Sequence, residues 1–295
     1  AKYWGPDGRY SMVSVFLPED SGLKQEKVRQ LQYTLDQALI KEAMEAPADN
    51  ARLYVAAYSV KSQVSLFSQR AKSQQCTAYG VGGDFFRFNY ELISGSYLME
   101  DSIANDQVVI DEEAAWKIFG AIEVDGMTLT YNGKEYIVQG VVKPQDGYKT
   151  KTGGAESGTV FFPLEAIGQD ADCYEIIFPN PVSGFALKQV KEAFTSCGYS
   201  EDDIRVIDNS ERYSFVNSAK RVLKWTDKGM AFKALKYPYW ENSAIAVENI
   251  VDLLTFFRII FIIPPIAIVI ISVICFHPIH RLKLLILRIV EHFRK

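Results

Sequence analysis

The side chains that most often carry proton transfer or metal chemistry are poorly placed for either. All three histidines, His277, His280 and His292, follow an uncharged apolar run near the C-terminus. Everything before that run therefore lacks an imidazole base, a Ser–His or Cys–His pair and a histidine ligand. Cys76, Cys173 and Cys197 precede the run and Cys275 lies inside it, too few for a disulfide scaffold. Cys173 and Cys197 can pair, which would leave an odd thiol. The acidic triplet Asp111-Glu112-Glu113 has the composition of an acid–base pair, but it stands where an apolar-periodic segment begins. It reads as a helix start, with Asp111 as the cap and the glutamates in the electropositive first turn. Asp202-Asp203 and Glu19-Asp20 read as loop charges, and nothing marks a glycosidase-like carboxylate pair. Gly80-Val81-Gly82-Gly83 lacks the dinucleotide spacing. Lys149 to Gly158, KTKTGGAESG, has the composition of a phosphate loop but not its order. A net charge of −4 provides no electrostatic footprint for nucleic acid. The expectation is a chain that is not an enzyme, with no catalytic residue, no metal ligand and no cofactor.

The apolar run itself organises the chain. Ile259 to Phe276, IIFIIPPIAIVIISVICF, carries no charge and one hydroxyl, Ser272. At 1.5 Å per residue it spans ~27 Å, close to the hydrocarbon thickness of a bilayer. Its Ile, Val and Phe content can carry the two prolines, Pro264 and Pro265. Arg281, Lys283, Arg288, Arg294 and Lys295 follow it, against the single acid Glu291. Excess Lys and Arg marks the cytoplasmic side. Residues 1 to about 258 are therefore expected outside the cytoplasm and the C-terminus inside, in a cell membrane. The chain opens at Ala1 without an initiator Met or signal peptide, so an upstream signal or span is expected to deliver it.

Two β-α-β units stand before the span. In the first, Tyr10 to Leu17 alternates as a strand, and Leu23 to Ala46 has helical spacing at Val28, Leu31, Leu35 and Leu39. Arg52 to Leu66 reads as one long or two short strands. In the second, Tyr174 to Phe178 is a strand and Ser183 can cap a helix with Leu187, Val190 and Phe194 inward. Ile204 to Ile207 follows as a strand. The pair predicts a ferredoxin-like α/β layer interrupted by a β-rich insertion. Inside the insertion, Gln107 to Ile110 is a strand, a short helix ends at Phe119-Gly120, and Asn132-Gly133 joins a type I′ hairpin. Ser210 to Trp240 interleaves basic residues (Arg212, Lys220, Arg221, Lys224, Lys228, Lys233, Lys236) with Trp225, Phe232, Tyr237, Tyr239 and Trp240. Two readings stand for it, a membrane-proximal or partner-facing surface and an ordinary solvated face with a few core aromatics. From Asn242 the apolar pattern continues helically into the span. One helix from about Ser243 to Phe276 is expected, its first turns a stalk, kinked at Pro264-Pro265.

The run VVIDEEAAWKIFGAIEVDGMTLTYNGKEYIVQGVVKP, Val108 to Pro144, resembles the MacB-like periplasmic core domain. The matching features are Phe119-Gly120, Gly126, Asn132-Gly133 and the closing Val138-Gln139-Gly140-Val141-Val142. Gly80 to Leu98 resembles the lead-in of that family. The resemblance implies the extracytoplasmic domain of an ABC-transporter permease of the mechanotransmission type, within the FtsX-like permease superfamily. The segment after the span, HPIHRLKLLILRIVEHFRK, departs from the family pattern.

The resulting expectation is an α+β chain in four parts. Residues 1–75 and 165–240 form a discontinuous α/β subdomain and 76–164 a β-rich inserted one. Residues 243–276 form the stalk and transmembrane helix, which includes Ile259, Pro264, Pro265 and Phe276. Residues 279–295 form a basic amphipathic segment, lying on the inner leaflet or docked on another subunit. The implied function is a permease subunit that relays ATP-driven motion. Its implied partners are a separate ABC ATPase subunit, the membrane, and an extracytoplasmic protein or exported substrate. A dimer is expected in the full assembly, and no nucleic acid. The alternative is a membrane-anchored extracytoplasmic scaffold without a transport cycle.

Overall fold

The computed structural model describes residues 9–44, 52–68, 73–88, 90–98, 105–144, 158–224 and 235–276, with positions 286, 289 and 292. Outside them lie most of the Lys149 to Gly158 loop, Trp225, Lys228, Phe232 and Lys233, and nearly all of segment 279–295. The chain divides into two compact units, Ala1–Tyr213 with Gly229–Glu248, and Ser214–Lys228 with Asn249–Lys295.

The first unit is built on one ten-stranded mixed sheet. Its strands are β1 (Tyr10–Phe16), β2 (Val55–Leu66), β3 (Gln74–Gly83), β4 (Leu92–Gly95), β5 (Gln107–Asp111), β6 (Thr128–Tyr131), β7 (Lys134–Val142), β8 (Thr159–Pro163), β9 (Cys173–Pro179) and β10 (Arg205–Asp208). They run in the order β10-β1-β9-β2-β3-β8-β5-β7-β4, with β6 paired to β7. The first four neighbours are antiparallel throughout. They are joined by α1 (Gln25–Lys41) and α4 (Phe185–Ser196). That is the fourth-first-third-second order of a ferredoxin-like layer. The inserted strands extend the same sheet rather than closing a separate one: β3 folds back on β2 from Ala57↔Gly83 to Leu66↔Gln74. The remaining short helices are α2 (Glu112–Ile118) and α3 (Leu164–Ile167).

Strand alternation divides the buried residues between two faces. Tyr58, Val60, Ala78, Val108, Ile110, Val160 and Phe162 join α1 and α4 in the larger core. Ala57, Tyr79, Val81, Val109 and Phe161 point the other way and form a second, largely aromatic core. Helix α1 supplies Val28, Leu31, Leu35 and Leu39, buried at three- and four-residue spacing. Helix α4 begins differently from the sequence expectation. Its N-cap is Gly184, which has no side chain to offer. The Asn180 side-chain oxygen accepts from Ala186 N at 3.2 Å instead, while Ser183 Oγ donates to Glu211. Cys76, Cys173 and Cys197 are free and buried.

The second unit contains α5 (Phe215–Leu223) and most of α6 (Tyr239–Phe276). Ser214 caps α5, its Oγ accepting from Asn217 N. Helix α6 starts four residues before the expected Ser243 and runs unbroken through Pro264 and Pro265. Its first turns, to Glu248, belong to the first unit.

Candidate functional site: the root of the long helix

Within the first unit, the chain entering α6 is seated residue by residue. Lys236 pairs with Glu19. Tyr237 packs edge-on to Phe16 at 5.0 Å and accepts a hydrogen bond from Arg205 at 3.0 Å. The Pro238 carbonyl accepts from the amides of Glu241 and Asn242 at 3.1 Å, closing the first turn. Tyr239 and Trp240 then enter the second core. Trp240 lies 5.7 Å from Tyr79 and 6.0 Å from Phe85, ring to ring, and the Tyr239 hydroxyl is 3.1 Å from that of Tyr90. Each such aromatic pair contributes about 0.5–1.5 kcal/mol beyond area burial, so the socket holds the helix start firmly.

At the next residue, Glu241, an ionic clamp takes over. Arg212 donates Nη1 and Nη2 to the two oxygens of Glu241 at 2.7 and 2.8 Å. It also donates Nε and Nη2 to Glu248 at 3.2 and 3.0 Å. The Arg212 and Glu241 side chains are each only 3 % exposed. Burial works against the Arg212 charge, but hydrogen bonding to Glu241 and the two carboxylate charges outweigh it and hold the guanidinium protonated. Glu241 and Glu248 lie seven residues apart, on one helix face. A single arginine therefore fixes both the rotation and the height of the helix root. The Tyr213 hydroxyl adds a hydrogen bond to the Ala244 carbonyl at 3.3 Å.

Two further carboxyls are buried nearby. Glu175 on β9 accepts from Ser14 Oγ at 3.0 Å. Burial, with a smaller contribution from the Glu241 charge, pushes its pKa up to about 7. Burial does the same to Asp172, also to about 7. Neither sits with other ligating groups: among the described residues no cluster of three His, Cys, Asp or Glu can hold a metal.

The other sequence features resolve into structure. Asp111 caps α2, accepting from Ala114 N at 2.6 Å, and its second oxygen accepts from Gly158 and Thr159 N at 3.1 and 2.8 Å. Its carboxylate thus ties α2 to β8. Gly82 leaves room for the Tyr58 ring, which any Cβ there would strike. Gly140 of the Val138 to Val142 motif lets the Ser96 carbonyl approach the strand. Ile259, Pro264, Pro265 and Phe276 all fall within α6. Both prolines are exposed and Ile259 is half-buried. Of the described basic and aromatic residues between Ser210 and Trp240, Arg212, Lys236, Tyr237, Tyr239 and Trp240 make internal contacts of the first unit. What the sequence does not show is that Arg212 meets Glu241; only the exact seven-residue spacing of the two glutamates hinted at a shared partner.

A mixed-sheet domain gripping the root of a helix long and apolar enough to cross a membrane defines a membrane protein with its folded domain outside the bilayer. The chain belongs to the family of MacB-like periplasmic core domains, whose family model matches residues 11–196, and that domain is extracytoplasmic. It is similar to the periplasmic region of MacB from Actinobacillus actinomycetemcomitans, at 19 % identity over 75 % of this chain and 94 % of that one, with a TM-score of 0.48. The extracellular domain of the noncanonic ABC-type transporter YknZ from Gram-positive bacteria is similar at 12 % identity, over 66 % and 99 % of the two chains, TM-score 0.46. A domain of a putative permease from Porphyromonas gingivalis follows at 15 % identity, over 68 % and 88 %, TM-score 0.40. No curated protein matches the sequence.

Proposed function

We propose that this chain is the extracytoplasmic domain and membrane helix of an ABC-transporter permease subunit, and that it relays motion driven by a separate ATPase subunit. The observation that carries this reading is the double fixing of the α6 root. Tyr239 and Trp240 are socketed in the aromatic core, and Arg212 clamps Glu241 and Glu248. A helix held at its root by a packed sheet is a stiff element, and stiff two-position elements are what transmit displacement between distant sites. Family membership and the positive charge after Phe276 support an outer domain up to about residue 258, a cytoplasmic C-terminus and an ATPase inside. The receiver of the motion is an extracytoplasmic protein or an exported substrate, and the working assembly is a dimer. The chain itself performs no catalysis.

The test is a flexible Gly-Ser insertion between Glu248 and Asn249, which leaves every anchor intact but interrupts the helix. In cells carrying the intact gene so altered, the export or partner-activation phenotype is expected to be lost while the co-purifying ATPase retains its hydrolysis. An insertion that leaves the phenotype unchanged refutes the relay and favours an anchored scaffold.

A further inference from the structure

In the second unit, α5 is built inside out. At 100° per residue, Phe215, Val216, Ala219 and Leu223 share one arc of ~100°, and Asn217, Ser218 and Arg221 share the opposite one. In a surface helix of a soluble domain the apolar arc faces inward. Here Ser218 is fully buried, whereas Phe215, Val216 and Leu223 are 45 %, 59 % and 79 % exposed. The polar arc faces α6: Arg221 donates Nη2 and Nε to Asp252 at 2.8 and 3.1 Å, and Asp252 is itself buried. The opposite end of α5 reaches the same helix, with Phe215 lying under the Arg258 guanidinium at 4.7 Å.

Those contacts set the level of α5 along α6. Asp252 and Arg258 are six residues apart, ~9 Å of helix, and Arg258 is the last charge before the uncharged run that opens at Ile259. The outward apolar arc therefore lies beside the turns that meet the membrane surface. Exposed Lys220 sits at the margin of that arc and exposed Lys224 follows at the end of the helix on the same side, where long cationic side chains can reach lipid headgroups.

We infer that α5 is an interfacial anchor, with Phe215, Val216 and Leu223 sunk into the outer headgroup boundary of the bilayer and Lys220 and Lys224 against anionic lipid. The inference rests on α6 being the membrane span, and the experiment separates the two. The full chain is reconstituted in phosphatidylcholine vesicles with and without phosphatidylglycerol. An environment-sensitive fluorescent amino acid is incorporated at Val216, at Ile268 within the span, or at Val182, an exposed residue of the first unit. Lipids carry a spin-label quencher either near the headgroup or at the bilayer centre.

Position 216 is expected to lose emission to the headgroup quencher more than to the central one, and more so with phosphatidylglycerol. Position 268 should show the reverse depth preference and position 182 no loss. Quenching at 268 without quenching at 216 overturns the anchor while leaving the span in place. A blue-shifted but unquenched label at 216 also overturns it, because protein rather than lipid then covers the arc. No quenching at either position removes the span and the anchor together. A Phe215→Glu, Leu223→Glu variant should lose the quenching at 216 and keep that at 268. Its retention refutes the anchor.

Discussion

Replacing Arg212 with Met tests whether the clamp, rather than the aromatic socket alone, holds the helix root. Met keeps the length and apolar stem of the side chain but removes all of the donors to Glu241 and Glu248. Glu241 then loses its guanidinium partner at a site where its side chain is 3 % exposed and burial already raises its pKa. Breaking a buried pair from one side costs about 3–5 kcal/mol, because the surviving charge has neither water nor partner. For a unit of this size 1 kcal/mol moves the melting point by ~2–4 °C, so a fall of ~6–20 °C is expected. The double variant Arg212→Met, Glu241→Met removes the orphan as well and should recover most of the loss, as apolar replacement of whole buried pairs does. Melting is followed on the full chain in detergent by the near-ultraviolet signal of the Tyr79, Phe85 and Trp240 cluster. Amide exchange should show the opening concentrated at Glu241 to Glu248. A single variant within about 1 kcal/mol of the parent, or a double variant no better than the single, refutes the reasoning.

Acidity offers a second test, since Glu175 and Asp172 hold their protons in the fold up to about pH 7. Between the ordinary carboxylate pKa and that value the unfolded chain ionises while the folded one does not. Stability therefore falls as pH rises from 4 to 7, is lowest above 7, and regains on the order of 3 kcal/mol from Glu175 on acidification. Glu175→Gln should be more stable than the parent at pH 8 and show a flatter profile. Two glycines separate steric from conformational demands. Gly133→Ala should cost roughly 1–2 kcal/mol, the left-handed penalty alone, because its φ is +78° and nothing lies within 4 Å. Gly140→Ala should cost more, about 1–3 kcal/mol or above, because its Cβ meets the Ser94 and Ser96 carbonyls. Equal melting points for the two variants would overturn that distinction.

Features written in a few consecutive residues were legible in advance. Asp111 followed by two glutamates specified a capped helix because its partner, Ala114 N, is three residues away. Asn132 and Gly133 specified a turn because both must adopt positive φ, as they do at 49° and 78°. The two β-α-β units were legible from periodicity. Features that depend on distant pairing were not. Nothing local says that β3 should lie on β2 and β8, continuing one sheet through the insertion. Likewise the basic residues from Ser210 onward carry no mark separating Arg212, buried on Glu241, from Arg221, placed on Asp252. Ser183 is a better cap than glycine by propensity, yet the helix begins after Gly184 because Asn180 reaches the first-turn amide of Ala186 instead.

The position of β1 between β9 and β10 also governs the order in which this protein can acquire its structure. Its register joins Tyr10 to Pro179 on one side and Val13 to Asp208 on the other. As the chain emerges from its N-terminus, β1 must therefore wait, both edges open, until nearly the whole domain has been made. The β2–β3 hairpin can close at once, but the β1 pairings require loop closures over most of the chain, which are entropically costly and slow. An apolar strand with two unpaired edges invites pairing with the wrong chain. Biogenesis should accordingly depend on a holding factor that shields residues near Val13 and Val15 during export. Truncations ending before β9 should accumulate as aggregates or be degraded, while those retaining β10 should be recovered folded.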